Sequence, residues 1–155
     1  MTRAMVVAAA VLFQAGLGSA WAAEPLVGTW RLERQELNGE KTNFEALTLR
    51  IAKSGDKLAF AFSVPVNNVH FVSMSYEVRL DGTEADVKNG QGATVGTIKM
   101  TGAGASQYKL TLSGPNRPQT SGKLSVSADG KTLTSESEAA QAGHPAHLVQ
   151  VFSRQ

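Results

Sequence analysis

The sequence predicts an all-β chain, folded as an antiparallel up-and-down β-barrel of eight to ten strands. Two observations carry that expectation. Short segments of strict apolar and polar alternation recur roughly every eight to twelve residues with a turn signal between them, and no segment shows the period of a long helix. Glycine is frequent, at 15 of 155 residues, and aromatic residues make up only 6%, a balance that suits a turn-rich β protein better than a helical bundle. A barrel fits better than an immunoglobulin-type sandwich, which sets a tryptophan in a central strand beside a disulfide. Here Trp30 opens the first strand and the chain has no cysteine. A barrel spanning an outer membrane would need aromatic girdles, and two tyrosines and six phenylalanines do not supply them.

The elements follow in order. The first strand runs from Val27 to Leu37, with Trp30 and Leu32 on one face and Arg31 and Glu33 on the other, and Asn38-Gly39 turns it. Lys41 to Ala46 follows neither period and reads as one helical turn or a loop crossing the end of the sheet. Leu47, Leu49 and Ile51 then alternate, Ser54-Gly55-Asp56 turns the chain, and Leu58, Phe60, Phe62 and Val64 alternate in reply, so the two segments form a hairpin. Pro65 with Asn67-Asn68 stops that strand. The longest alternation comes next: Val72, Met74, Tyr76, Val78 and Leu80 against Ser73, Ser75, Glu77 and Arg79, the pattern of a half-buried antiparallel strand. After Asp81-Gly82, the polar stretch Thr83 to Gly92 is a long loop or a weak edge strand. Strands at Val95 to Met100, Tyr108 to Leu112, Leu124 to Val126, Leu133 to Glu138 and His147 to Phe152 complete the set.

Residues 1–22 stand apart from this pattern. Met1-Thr2-Arg3 is a short basic start, Ala4 to Phe13 is an apolar run, and the following small residues end in Ala20-Trp21-Ala22, the grammar of a secretory signal peptide cleaved after Ala22. The apolar run is too short to span a bilayer. The expectation is an exported protein, periplasmic or secreted, with residues 23–155 as one domain and no membrane insertion of the mature chain. The remaining 155 − 22 = 133 residues suffice for one core and not for two. Without cysteine there is no disulfide framework, no thiolate nucleophile and no lipid-attachment site. Removing Arg3 leaves 15 − 1 = 14 basic side chains against 13 acidic, interspersed along the chain, so charge points to neither a nucleic acid nor an anionic membrane as partner.

Gly28-Thr29-Trp30 at the mature start, Asn38-Gly39 after it, Tyr76 ahead of Asp81-Gly82, the run Asp129 to Thr134, and a Val-x-x-Phe before Arg154-Gln155 together resemble the bacterial secreted lipocalin-like proteins. The likeness covers nearly all of the mature chain. It implies an antiparallel up-and-down barrel with an interior cavity, closed at its base around Gly28 and Trp30, with Arg154 over the tryptophan ring. A partly desolvated cation-π pair of that kind stabilises by about 0.5–2 kcal/mol.

Function is less legible. Alternation turns Leu49, Ile51, Phe60, Phe62, Val72, Met74, Tyr76, Val78, Ile98, Met100, Tyr108, Leu110 and Leu112 toward the interior. Of these, Phe60, Phe62, Met74, Tyr76, Met100 and Tyr108 present the largest adaptable surfaces and are the expected wall of a site for a small apolar molecule, long-chain or polycyclic. The alternative is a solid core, with the loops of an envelope or protein-interaction module doing the work. Catalysis finds no support. Gly90-Gln91-Gly92 and Gly102-Ala103-Gly104 lack the spacing of a phosphate loop, and no nucleophile elbow is present. His70, His144 and His147 are the only neutral nitrogen ligands, and Pro145 keeps the latter two off one helical face, so no metal is expected. Glu136 and Glu138 share one strand face as a solvated pair, about 7 Å apart. No motif requires a cofactor.

Overall fold

The structure, a computed structural model, describes residues 24–155 with the exception of residue 142. The expected signal peptide, residues 1–22, lies outside the described residues.

Eleven strands run in chain order: β1 (Gly28–Leu37), β2 (Glu40–Lys41), β3 (Thr48–Ser54), β4 (Lys57–Val66), β5 (Val69–Val78), β6 (Ala85–Asn89), β7 (Thr94–Gly102), β8 (Gln107–Gly114), β9 (Arg117–Val126), β10 (Thr132–Gln141) and β11 (His144–Arg154). No helix occurs among the described residues. Strands β1 and β3 to β11 follow one another around a ring, each antiparallel to the next. Strand β11 then returns to pair with β1, from Trp30↔Arg154 to Leu37↔Leu148. The result is a closed barrel of ten strands with β2 hanging from the end of β1 as a short flap. Closure removes the unpaired edges that would recruit other chains.

Turn chemistry sets the register. Asn67 and Asn68 both take positive φ, 51° and 62°, so the β4–β5 hairpin closes through a two-residue turn between Val66 and Val69. The Asn38-Gly39 pair does the same between β1 and β2. Up-and-down order then puts the first and last described residues and the connections after β3, β5, β7 and β9 at one end of the barrel. The β1–β3 connection and the remaining hairpin turns lie at the other.

Most elements lie where alternation puts them, and the differences have physical reasons. Of the segment that follows Gly39, only Glu40 and Lys41 pair as strand, and residues 42–47 are irregular. Residues 85–89 form β6, a full member of the ring. Only two of its inward residues, Ala85 and Val87, are apolar, too few to show a period against outward Asp86 and Lys88. Strand β9 begins at Arg117 rather than Leu124, because its inward positions there, Thr120 and Gly122, are not apolar.

One inward assignment is corrected. The β4–β5 register slips after Phe62↔Met74, so that Ser63 faces Val72 and Ser73 is the extra residue of a bulge. A bulge reverses the facing of everything beyond it. Val72 therefore shares the outward face of Ser63, and Phe71, partner of Val64, takes the inward face at the rim.

The core fills the half of the barrel near the first and last described residues. Leu26, Trp30, Ile51, Phe60, Val78, Ile98, Met100, Leu133 and Phe152 are all but inaccessible there, and no buried polar side chain interrupts them.

Candidate functional site

The closed end is built around Trp30. Its ring is fully buried and its Nε1 donates to the Leu26 carbonyl at 2.9 Å. The Arg154 guanidinium lies over the ring, with Cζ 4.1 Å from the centroid. The same guanidinium donates from Nε to Gly130 O (2.6 Å), from Nη1 to Val27 O (2.7 Å) and from Nη2 to Pro25 O (2.8 Å), binding the entering chain, the last strand and the β9–β10 turn together. Gly28 makes room for it. A Cβ at that position would run into Arg154 Nη1, and its φ of 153° disfavours a side chain in any case. The Tyr108 hydroxyl donates to Glu24 Oε1 across the same end. These residues seal the barrel base and face no cavity.

Depth separates the six expected wall residues. Phe60, Tyr76, Met100 and Tyr108 point inward but are sealed in the packed half, Phe60 and Tyr76 stacked with centroids 4.8 Å apart. Burial raises the hydroxyl pKa of both tyrosines above the ordinary phenol range, and the Glu24 carboxylate adds to the effect at Tyr108, so both stay protonated. Phe62 and Met74, one step further up β4 and β5 and paired with each other, are only partly buried and pack onto the core from above. They are the floor of the open half. Alternation reports which way a side chain faces and nothing of how deep it lies.

Above that floor the inward side chains remain in contact with solvent. Leu110 and Leu112 in β8, Ser135 and Ser137 in β10, and Gln150 in β11 are half-buried although each strand is hydrogen-bonded on both sides. These inward side chains are less fully buried than those of the core, and with the small cleft that opens beside Met74, Leu112 and Thr120 they form a cup in this half of the barrel. Gly122 leaves space for Leu110, whose Cδ1 would stand 3.1 Å from a Cβ placed there. Sequence reasoning missed the polar part of this wall. A register shift in β1 between Leu32 and Arg34 brings Gln35 to the inside, where its Oε1 accepts from Gln150 Nε2 at 2.8 Å and its own Nε2 donates to Thr42 Oγ1 at 3.1 Å.

The mouth of the cup carries the apolar exposure of the molecule. Leu37, Phe44, Val66, Val69, Phe71, Val72 and Val95 are the large hydrophobic side chains left exposed among the described residues, and every one belongs to this end. Phe71 and Val69 are more than half exposed, at 54% and 55%. Within the lip, a cleft of about 90 Å³ opens between Met74, Val87, Leu112 and Thr120. Two larger concavities lie on the outer wall: one of about 640 Å³ across β4 to β6, rimmed by Lys57, Glu77, Arg79, Glu84, Asp86 and Lys88, and one of about 400 Å³ across β8 to β11.

The three histidines stand apart from one another. His70 and His144 are exposed at the mouth, and His147 stands on the outer wall with Nε2 3.9 Å from Glu136 Oε2. Glu136 also pairs with Lys123 at 3.4 Å. No group of three or more metal-ligating side chains forms among the described residues.

No family model matches the chain, and no curated protein matches it. Solved structures do. The zebrafish ileal bile acid-binding protein, crystallised in complex with cholic acid, superposes with a TM-score of 0.59 over 85% of this chain and 100% of that one, at 22% sequence identity. At that identity the likeness is one of fold: both chains form a closed antiparallel β-barrel, here of ten strands.

Proposed function

We propose that the protein is an exported, non-catalytic lipocalin-like barrel that holds a small apolar molecule, long-chain or polycyclic, in the open half of its interior. The observation that carries the reading is the cup itself: mid-strand, inward-facing Phe62, Met74, Leu110 and Leu112 stay partly accessible above a sealed core and below an apolar mouth. Export is supported by the basic start, apolar run and small-residue cleavage pattern of residues 1–22. A bile acid-binding protein of the same fold, complexed with cholic acid, lends the reading further support.

Magnitudes select the ligand size. Each buried methylene contributes about 0.8 kcal/mol, while association costs at least about 4 kcal/mol in lost freedom. A chain of eight carbons binds weakly on that balance, and useful affinity requires something nearer twelve carbons or a flat ring system. The lip cleft of about 90 Å³ falls short of the roughly 300–1,000 Å³ of established ligand pockets. The ligand therefore occupies the cup as well, and the unbranched Met74 side chain swings aside to admit it.

A second reading, a solid-cored interaction module, is favoured by the outer-wall groove of about 640 Å³ and its ring of charges. Titration with an apolar fluorophore separates the two. The cup reading expects one saturable site in the wild type and its loss in Met74→Trp and Phe62→Trp with the fold retained. Absence of a saturable site, or binding untouched by both substitutions, leaves the module reading in its place. Release of a chain starting near Ala23 by osmotic shock tests export, and recovery of the full-length chain in the membrane pellet overturns it.

A further inference from the structure

Resting on the proposed binding function, we infer that the ligand is an uncharged molecule with two unlike edges, one of hydrocarbon and one bearing hydroxyl or carbonyl groups. The order of strands around the ring provides the argument. With ten strands in the closed order, β9 stands across from β4 and β10 across from β5. Phe62 and Met74 occupy the inward positions of β4 and β5 above the core. Facing them, β9 presents Thr120, β10 presents Ser135 and Ser137, and β11 presents Gln150, all of them half-buried. One wall of the cup is apolar and its opposite wall is a strip of neutral hydrogen-bonding groups.

That strip is under-used by the protein. The hydroxyls of Thr120, Ser135 and Ser137 make no hydrogen bond to a described residue. Gln150 spends one amide hydrogen on Gln35 at 2.8 Å, and its carbonyl oxygen accepts nothing among the described residues. Left to the protein alone, these groups turn to water. A purely hydrocarbon ligand strips that water without replacing its bonds, which costs affinity, whereas hydroxyls along one edge restore them. Amide and hydroxyl groups both donate and accept, so the strip suits alcohols and ketones alike. It does not suit a carboxylate at its own depth: Thr120, Ser135, Ser137 and Gln150 carry no charge, and Arg117 stands above the strip in the lining of the lip cleft. An anionic head group seated on the strip would be desolvated with no countercharge beside it.

The test uses probes with one skeleton and different edges, androstane and androstanediol, displacing an apolar fluorophore from the wild type and from Gln150→Leu and Ser137→Ala. The inference expects androstanediol to lose about tenfold in affinity in Gln150→Leu, the worth of a neutral hydrogen bond or two in a hydrated site. Androstane should keep its affinity or gain. Ser137→Ala, a smaller change, guards against misfolding of the first variant and should move the diol alone in the same direction. Equal losses for both probes, or none for either, overturn the inference and leave the binding reading intact. If neither probe displaces the fluorophore from the wild type, the binding reading fails and takes the inference with it. In a parallel arm, hexadecanol should bind more tightly than hexadecanoate at neutral pH; the reverse order also overturns it.

Discussion

Replacing Arg154 by Ala removes the side chain that ties the entering chain, the last strand and the β9–β10 turn together at the closed end. Three carbonyls, of Pro25, Val27 and Gly130, lose a donor, and the Trp30 ring loses its cover. The cation-π contact alone is worth about 1 kcal/mol. Each carbonyl bond adds about 0.5–1 kcal/mol, below the range for fully buried charged donors, because water reaches the half-buried base once the guanidinium is gone. The sum is about 3 kcal/mol, larger than the ring contact's own range of about 0.5–2 kcal/mol. For a domain of this size such a loss lowers the melting temperature by about 10 °C. Arg154→Lys keeps the charge but cannot serve three carbonyls from one ammonium, so it should recover roughly half of the loss. Urea unfolding followed by Trp30 fluorescence measures both. A loss within about 0.5 kcal/mol of zero for Arg154→Ala, or a lysine variant as stable as wild type, refutes the view that the fork holds the base together.

Gly28→Ala should destabilise by about 2–4 kcal/mol, from backbone strain at positive φ and from the displaced guanidinium, and combined with Arg154→Ala the two losses should fall short of their sum; strict additivity in the double variant would show that they act separately. The Asp129 carboxylate accepts from Ser127 Oγ at 2.6 Å and from the Lys131 amide at 3.0 Å, in that order of influence, and both hold its pKa below the ordinary value. A depressed folded-state pKa stabilises above the unfolded-state value and is lost as pH falls through the folded one, so stability measured from about pH 7 down to about pH 2 should decline, and less steeply in Asp129→Asn. Asp56, beside Arg79, and Glu33, beside Ser153 and Arg31, carry the same sign and keep part of the decline in that variant. Met74→Trp should abolish fluorophore binding while leaving the melting temperature within a few degrees of wild type, and an unfolded variant would instead place Met74 in the core.

The barrel was legible because its strands advertise themselves: Leu58, Phe60 and Phe62 alternate without interruption, and the turns carry asparagine and glycine where φ is positive. What stayed hidden was phase and depth. A bulge is a single extra residue with no side-chain signature, so Ser73 reverses Val72, and the shift after Leu32 turns Gln35 inward, without a mark in the sequence. Depth depends on where a position falls along the barrel axis, which separates Phe60 in the core from Phe62 at the floor although both obey one alternation. The polar strip escaped notice for a further reason. Thr120, Ser135 and Ser137 look like outward residues in a scheme that expects apolar side chains inside.

The pairing of β1 with β11 has a consequence for how the chain acquires its structure. Every other seam of the ring joins strands close in sequence, but this one joins the first strand to the last, so it carries by far the largest loop-closure cost and is made when the rest of the wall already exists. Until Arg154 reaches Trp30 the sheet is an open ribbon with two sticky borders, and the tryptophan has no roof. A nascent chain cannot reach the native state piecemeal from its front end, since the partner of β1 is the last of these strands to emerge. Removing β11 would therefore leave a ribbon prone to pairing with its own copies rather than a smaller barrel.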